Sequence, residues 1–118
     1  MKANSTHISL ETAKLLKDCE LESKLVWCKN EANRYYIPAK PITREKSNEN
    51  AWSIPYPAYT WQEILWEYPQ EFFGEDAYDT FGGYCHTCRF TVDILDFLQD
   101  KEYDKADKYF RDNCILIK

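Results

Sequence analysis

Cysteine and histidine are the residues of this chain whose spacing invites chemistry. The run Tyr84-Cys85-His86-Thr87-Cys88 sets two thiols three positions apart, directly after Gly82-Gly83. A structural zinc takes four Cys or His ligands in a tetrahedron, usually as two close pairs. Cys85 and Cys88 would be one pair, and the second is missing. Cys19 and Cys28 stand nine apart, Cys114 is isolated, and His7 lies near the start. A Gly-Gly turn also places the motif on the returning strand of a hairpin. Side chains alternate faces along a strand, so Cys85 and Cys88 would diverge and His86 would point away from Cys85. A thioredoxin-like redox pair needs its first thiol at a helix N-terminus, and the surrounding βαβ pattern is absent. A dyad of Cys28 or Cys114 with His86 has no local support. Cys85 and Cys88 are therefore read as small apolar strand residues. The rival reading is a zinc- or thiol-dependent protein centred on this pair.

Other constellations fall short as well. Glu75, Asp76 and Asp79 cluster before the Gly-Gly turn. They lack the alternating oxygen ligands and the turn glycine of a calcium loop. A solvated acidic edge that blocks stray strand pairing is expected. With 3 glycines in the whole chain, both Gly-rich phosphate-binding fingerprints are excluded. No catalytic, cofactor-binding or metal-binding residue is assigned, and a non-enzymatic protein is expected.

The elements that would position these residues can be read in order. Ser9 can cap a helix over 10–18, its hydroxyl accepting an orphan N–H of the first turn. Glu11 suits the positive end of that helix. Ile8 and Ala13 occupy the staple positions, and Leu10, Ala13 and Leu16 form the buried face. Residues 24–29 and 33–38 are rich in β-branched and aromatic side chains, which predicts a hairpin with a loop of about three to five residues. Pro38 ends its second strand. The polar stretch 39–53 reads as a loop.

Thr60 and Glu63 have the spacing of a capping box, and Tyr59 with Ile64 the spacing of a staple. Trp61, Ile64, Leu65 and Tyr68 form an apolar stripe. Pro69 should stop that helix near Tyr68, while Pro55 and Pro57 stiffen the approach to it. Residues 75–90 read as a second hairpin. Thr91 then caps a helix with Leu95 and Leu98 facing inward. A last helix over 102–113 would bury Tyr103, Ala106, Phe110 and Cys114. Asp104–Lys108 and Asp107–Arg111 would pair on its outside. The fold class is α+β: one domain over 1–118, with an antiparallel sheet of about four strands in two hairpins, packed by about four helices.

Composition bounds the partners. The 118 residues carry a net charge of −5, unevenly spread. Residues 1–50 hold nine Lys/Arg against seven Asp/Glu, and 51–118 hold six against thirteen, so the halves carry +2 and −7. Such a surface repels a phosphate backbone, and no nucleic-acid partner is expected. The apolar run Ile115–Ile117 is far shorter than the ~20 residues of a membrane span. No apolar leader opens the chain, so a cytoplasmic setting with free thiols is expected. The 5 cysteines, an odd number, also fit a closed disulfide framework poorly. Twelve of the 39 residues from Trp52 to Phe90 are aromatic. An aromatic patch rimmed by Glu63, Glu67 and Glu71 would suit a protein partner or a homodimer.

Two blocks carry a family resemblance. Residues 8–18 (ISLETAKLLKD) and 55–73 (PYPAYTWQEILWEYPQEFF) resemble small hypothetical proteins of Bacteroidetes genomes and prophages. Pro55, Pro57, Thr60 and Trp66 match that group's Pro-x-Pro approach to an aromatic-rich helix. The chain departs from the pattern after Lys17, where Asp18-Cys19-Glu20-Leu21 replaces Lys-Gly-Phe. The resemblance implies no activity or cofactor. It implies an accessory protein of mobile-element type, and it does not extend to Cys85 and Cys88.

Overall fold

The structure, a computed structural model, describes residues 3–38, 56–74 and 89–117. Helix α1 spans Leu10–Leu15, and Ser9 caps it by accepting the Thr12 N–H. Leu10, Ala13 and Leu16 are buried as the three-residue spacing dictates. The helix ends earlier than expected. Leu16 leaves helical geometry at φ −104°, ψ 17°, and the Leu16 and Lys17 N–H groups reach only three residues back. Such tightening satisfies carbonyls that a longer helix would otherwise hold.

Strands β1 (Val26–Lys29) and β2 (Tyr35–Tyr36) form the expected hairpin, with Cys28 opposite Tyr36 and Lys29 opposite Tyr35. Asn30 organises the loop. Its side-chain oxygen accepts from the Ala32 and Arg34 N–H groups at 2.9 and 3.0 Å. Asn33 takes the positive φ of 62°, which asparagine tolerates better than most residues. Strand β3 (Tyr56–Pro57) pairs antiparallel on the other side of β1, giving the order β2-β1-β3. Pro57 fits there because an edge strand needs no N–H on its outer side.

Among the described residues the sheet therefore has three strands, where about four were expected. Its third strand comes from the proline-rich approach at 56–57, which pairs because its stiff extended backbone already matches a strand. Most of the anticipated second hairpin, including Cys85, His86 and Cys88, lies outside the described residues. Its last two residues, Arg89 and Phe90, are helical.

Glu63–Glu67 is a π-helix, closed by Tyr68 N–H donating to the Glu63 carbonyl at 2.7 Å. Pro69 explains it. Proline expels the preceding residue from α geometry, and Tyr68 sits at φ −127°, ψ 28°, so its N–H reaches one residue further back. Pro69 ends the segment at Tyr68, as expected, and also opens a new helix, α2 (Pro69–Phe73). The first helical position suits proline because its N–H would be an orphan there. Gly74 closes α2 with a positive φ of 100°.

Helices α3 (Arg89–Gln99) and α4 (Tyr103–Asn113) pack together. Thr91 is buried within α3 instead of capping it. The cause is tertiary: Phe90 stacks on Phe73 at 5.0 Å with the rings 9° apart, a contact a strand ending at Phe90 would forgo. A Schellman turn joins the two helices. Lys101 N–H bonds Leu98 O at 3.1 Å, Glu102 N–H bonds Phe97 O at 2.8 Å, and Lys101 has a φ of 58°. One core draws on every helix and on the sheet, with Ile8, Tyr59, Ile64, Phe72, Ile94 and Phe110 fully buried.

Candidate functional site

The aromatic run places its residues unequally. Tyr59, Trp61, Phe72 and Phe73 are core residues, and Tyr56, Tyr68 and Phe90 are half-buried. Among the described residues of that run, Trp66 alone is exposed, at 53%. Most of the described rings of the run are thus core or half-buried residues and not an exposed patch. Rings joined at 5.0–6.3 Å, Tyr59 with Tyr68 and Phe72, and Phe72 with Phe110, form the centre of the molecule. The surface left is narrower. Trp61, Leu65 and Trp66 from the first helical segment face Leu95 and Leu98 of α3 across a cavity of about 320 Å³, with Gln62 at its margin.

Glu63 is not on its rim. It is 2% exposed, and its carboxylate is fully engaged. One oxygen accepts the Thr60 N–H at 2.9 Å and the Thr60 hydroxyl at 3.1 Å, and the other accepts the Lys24 N–H at 3.1 Å. Thr60 Oγ1 returns the box by accepting the Glu63 N–H at 3.1 Å. Glu67 is exposed beside Lys24 Nζ at 3.7 Å, and Glu71 lies on a different groove. Burial pushes the Glu63 carboxyl up from its ordinary 4.5, opposed by the hydrogen bonds from Thr60 and Lys24. A shifted carboxyl can signal catalysis, but here its oxygens hold a helix start and the strand β1 approach.

That shift has a pH consequence. A carboxyl raised in the folded state keeps its proton after the unfolded chain has lost it. Its stabilising contribution is complete below 4.5 and is lost as pH rises through the folded value. Glu63→Gln removes this titration. Urea unfolding at about pH 4 and about pH 7 should show the wild type losing ground to the variant toward the higher pH. A wild-type advantage that grows instead contradicts the assignment.

The remaining titratable candidates are structural. His7 Nδ1 donates to Ile8 O at 2.8 Å, and Nε2 accepts from Asn4 Nδ2 at 3.1 Å, because the Asn4 oxygen is held by the Thr6 and His7 N–H groups. Its ring meets Trp27 edge-on at 5.4 Å. The Trp27 indole N–H is buried and finds no acceptor among the described residues. Of the described cysteines, Cys19 is half-buried and Cys28 and Cys114 are buried. Burial pushes the Cys114 thiol up to about 11, which removes its nucleophilic form at neutral pH. Among the described residues, no three His, Cys, Asp or Glu side chains converge as metal ligands. No described helix is long and apolar enough to cross a membrane.

The residue the sequence reading misplaced is Asp107. It does pair with Arg111, at 3.4 Å, but it is 5% exposed and not on the outside. Lys108 pairs with Asp112 at 2.9 Å, where Asp104 was expected. A signal existed: Asp107 lies four residues after Tyr103 and three before Phe110, on the apolar face itself.

Comparison with protein-family models, with curated proteins and with solved structures gives no match. Fold and site together define a small α+β protein with an exposed tryptophan beside an apolar groove.

Proposed function

We propose that this is a non-enzymatic protein-binding module, an accessory protein of mobile-element type acting in the cytoplasm, and that it binds through the Trp66 groove. The exposure of Trp66 beside Leu95 and Leu98 carries this reading. An isolated exposed leucine is ordinary. A tryptophan next to an apolar cleft is the side chain most enriched among residues that dominate binding energy. The acidic half of the chain favours a protein over a nucleic acid as partner.

Trp66→Ala is the test. Its circular dichroism and thermal midpoint should match the wild type. Affinity capture from the native host should retain a protein on the wild type that the variant loses, with a Kd change of roughly thirty-fold or more, the effect of about 2 kcal/mol. Light scattering reads the homodimer case: a dimer that Trp66→Ala splits identifies the partner as a second copy. Equal capture and equal mass for both proteins would sink the proposal.

A further inference from the structure

A second groove lies where the chain leaves α1. It encloses about 720 Å³, within the range of ~300–1,000 Å³ typical of binding pockets. Its apolar wall is formed by Leu15, Leu16, Leu21 and Leu116. Two of these remain open to solvent, Leu15 at 48% and Leu116 at 40%. The half-buried Cys19 also lines the groove, its sulfur 3.2 Å from the Tyr59 hydroxyl oxygen. Among the described residues, the rest of the lining is of one sign: Asp18, Glu20 and Glu71 are all exposed there, and no described base lines the groove.

The acidity extends past the rim. Tyr68, nearby on the same chain segment as Glu71, has its phenol pushed up first by burial and then by Glu63, Glu67, Glu22 and Glu71. Bases stand near this field as well. Lys24 is held by Glu67 at 3.7 Å, and Lys14 lies over the Tyr35 ring at 4.8 Å. Lys17 adjoins the groove without lining it.

Apolar walls inside a carboxylate rim select against an anionic membrane and against nucleic acid, both of which the rim repels. A second copy of this chain, at net charge −5, is repelled on the whole as well. We propose that this groove receives a basic, leucine-bearing segment of a partner protein, with apolar anchors against Leu15, Leu21 and Leu116 and Lys or Arg side chains opposite Asp18, Glu20 and Glu71. Apolar anchors in a groove with charges on its rim are how amphipathic segments are recognised. The site goes beyond the Trp66 reading and stands or falls separately from it.

The probe is a labelled 14-residue Lys/Leu amphipathic peptide, with a Glu/Leu peptide of the same pattern beside it, both read by fluorescence anisotropy. The wild type should bind the first and not the second. Charge reversal of two exposed rim residues, Asp18→Lys with Glu71→Lys, should weaken binding about ten-fold or more, since each replaces an attraction by a repulsion. Glu31→Lys with Asp112→Lys, equal in charge change but on the hairpin loop and on α4, should leave the affinity within about two-fold. Trp66→Ala should leave it unchanged. The proposal is overturned if the control pair weakens binding as much as the rim pair, which would mean net charge alone acts. It is overturned equally if the Glu/Leu peptide binds as well, or if Trp66→Ala abolishes binding, which would assign the peptide to the other groove.

Discussion

Replacing Asp107 with alanine should lower the unfolding free energy by about 3–5 kcal/mol, the cost of breaking a buried charged network from one side. Asp107 Oδ1 accepts the Ser9 N–H at 2.9 Å, and Oδ2 accepts the Ser9 hydroxyl at 2.7 Å and the Thr12 hydroxyl at 2.9 Å. Arg111 adds donors to Asp107 at 3.4 Å and to Thr12 at 3.2 Å. In a local capping box, the N-cap N–H would be taken by a glutamate or glutamine three residues on. Here position 12 is a threonine, and α4 supplies the carboxylate from 98 residues away. Alanine would leave three donors and the Arg111 charge without this acceptor. Asp107→Asn should cost less, because its carbonyl can keep the Ser9 N–H while its amide faces hydroxyls able to turn and accept. Arg111→Ala, at a more exposed position, should also cost less. Urea unfolding of the three variants gives the order. A loss below about 1 kcal/mol for Asp107→Ala would mean that solvent replaces the network.

The contrast between Ser9 and Asp107 shows what the chain discloses about itself. Ser9, the Thr60–Glu63 box, the 26–36 hairpin and the buried face of 103–114 depend on neighbours within a few residues, so spacing reveals them. Asp107 was misread because its i+4 partner, Arg111, is visible in sequence and its true partners on α1 are not. The same limit hid strand β3: Pro57 argues against a strand until β1 is seen to need only one side of it. It also hid the start of α3, where Phe90 gains a stack on Phe73. The Trp66 groove was legible in part. The apolar stripe of Trp61 and Leu65 and the inward Leu95 and Leu98 could be listed from periodicity. That they face each other, and that Trp66 stays outside, is set by how α3 packs in the fold, which periodicity along one segment does not carry.

Phe72→Ala should be as damaging as Asp107→Ala, about 3–5 kcal/mol, because the site cannot collapse around the void. Phe72 is fully buried, edge-on to Tyr59 at 5.0 Å and to Phe110 at 5.2 Å. Each ring is anchored elsewhere. Tyr59 donates its hydroxyl to Leu21 O at 2.7 Å, and Phe110 lies within α4. Neither can follow the missing ring inward without breaking those ties, and the Phe72 carbonyl still holds the Ile115 N–H at 2.8 Å. Phe72→Leu, which refills most of the volume, should recover more than half of the loss. Thermal unfolding decides it: equal midpoints for Phe72→Ala and wild type would place this ring outside the core. The same measurement on Trp66→Ala should move stability by no more than about 0.5 kcal/mol. Two aromatic side chains six residues apart would then differ by several kcal/mol in what they give the fold. The exposure of Trp66 beside the apolar groove directs the binding experiments to it.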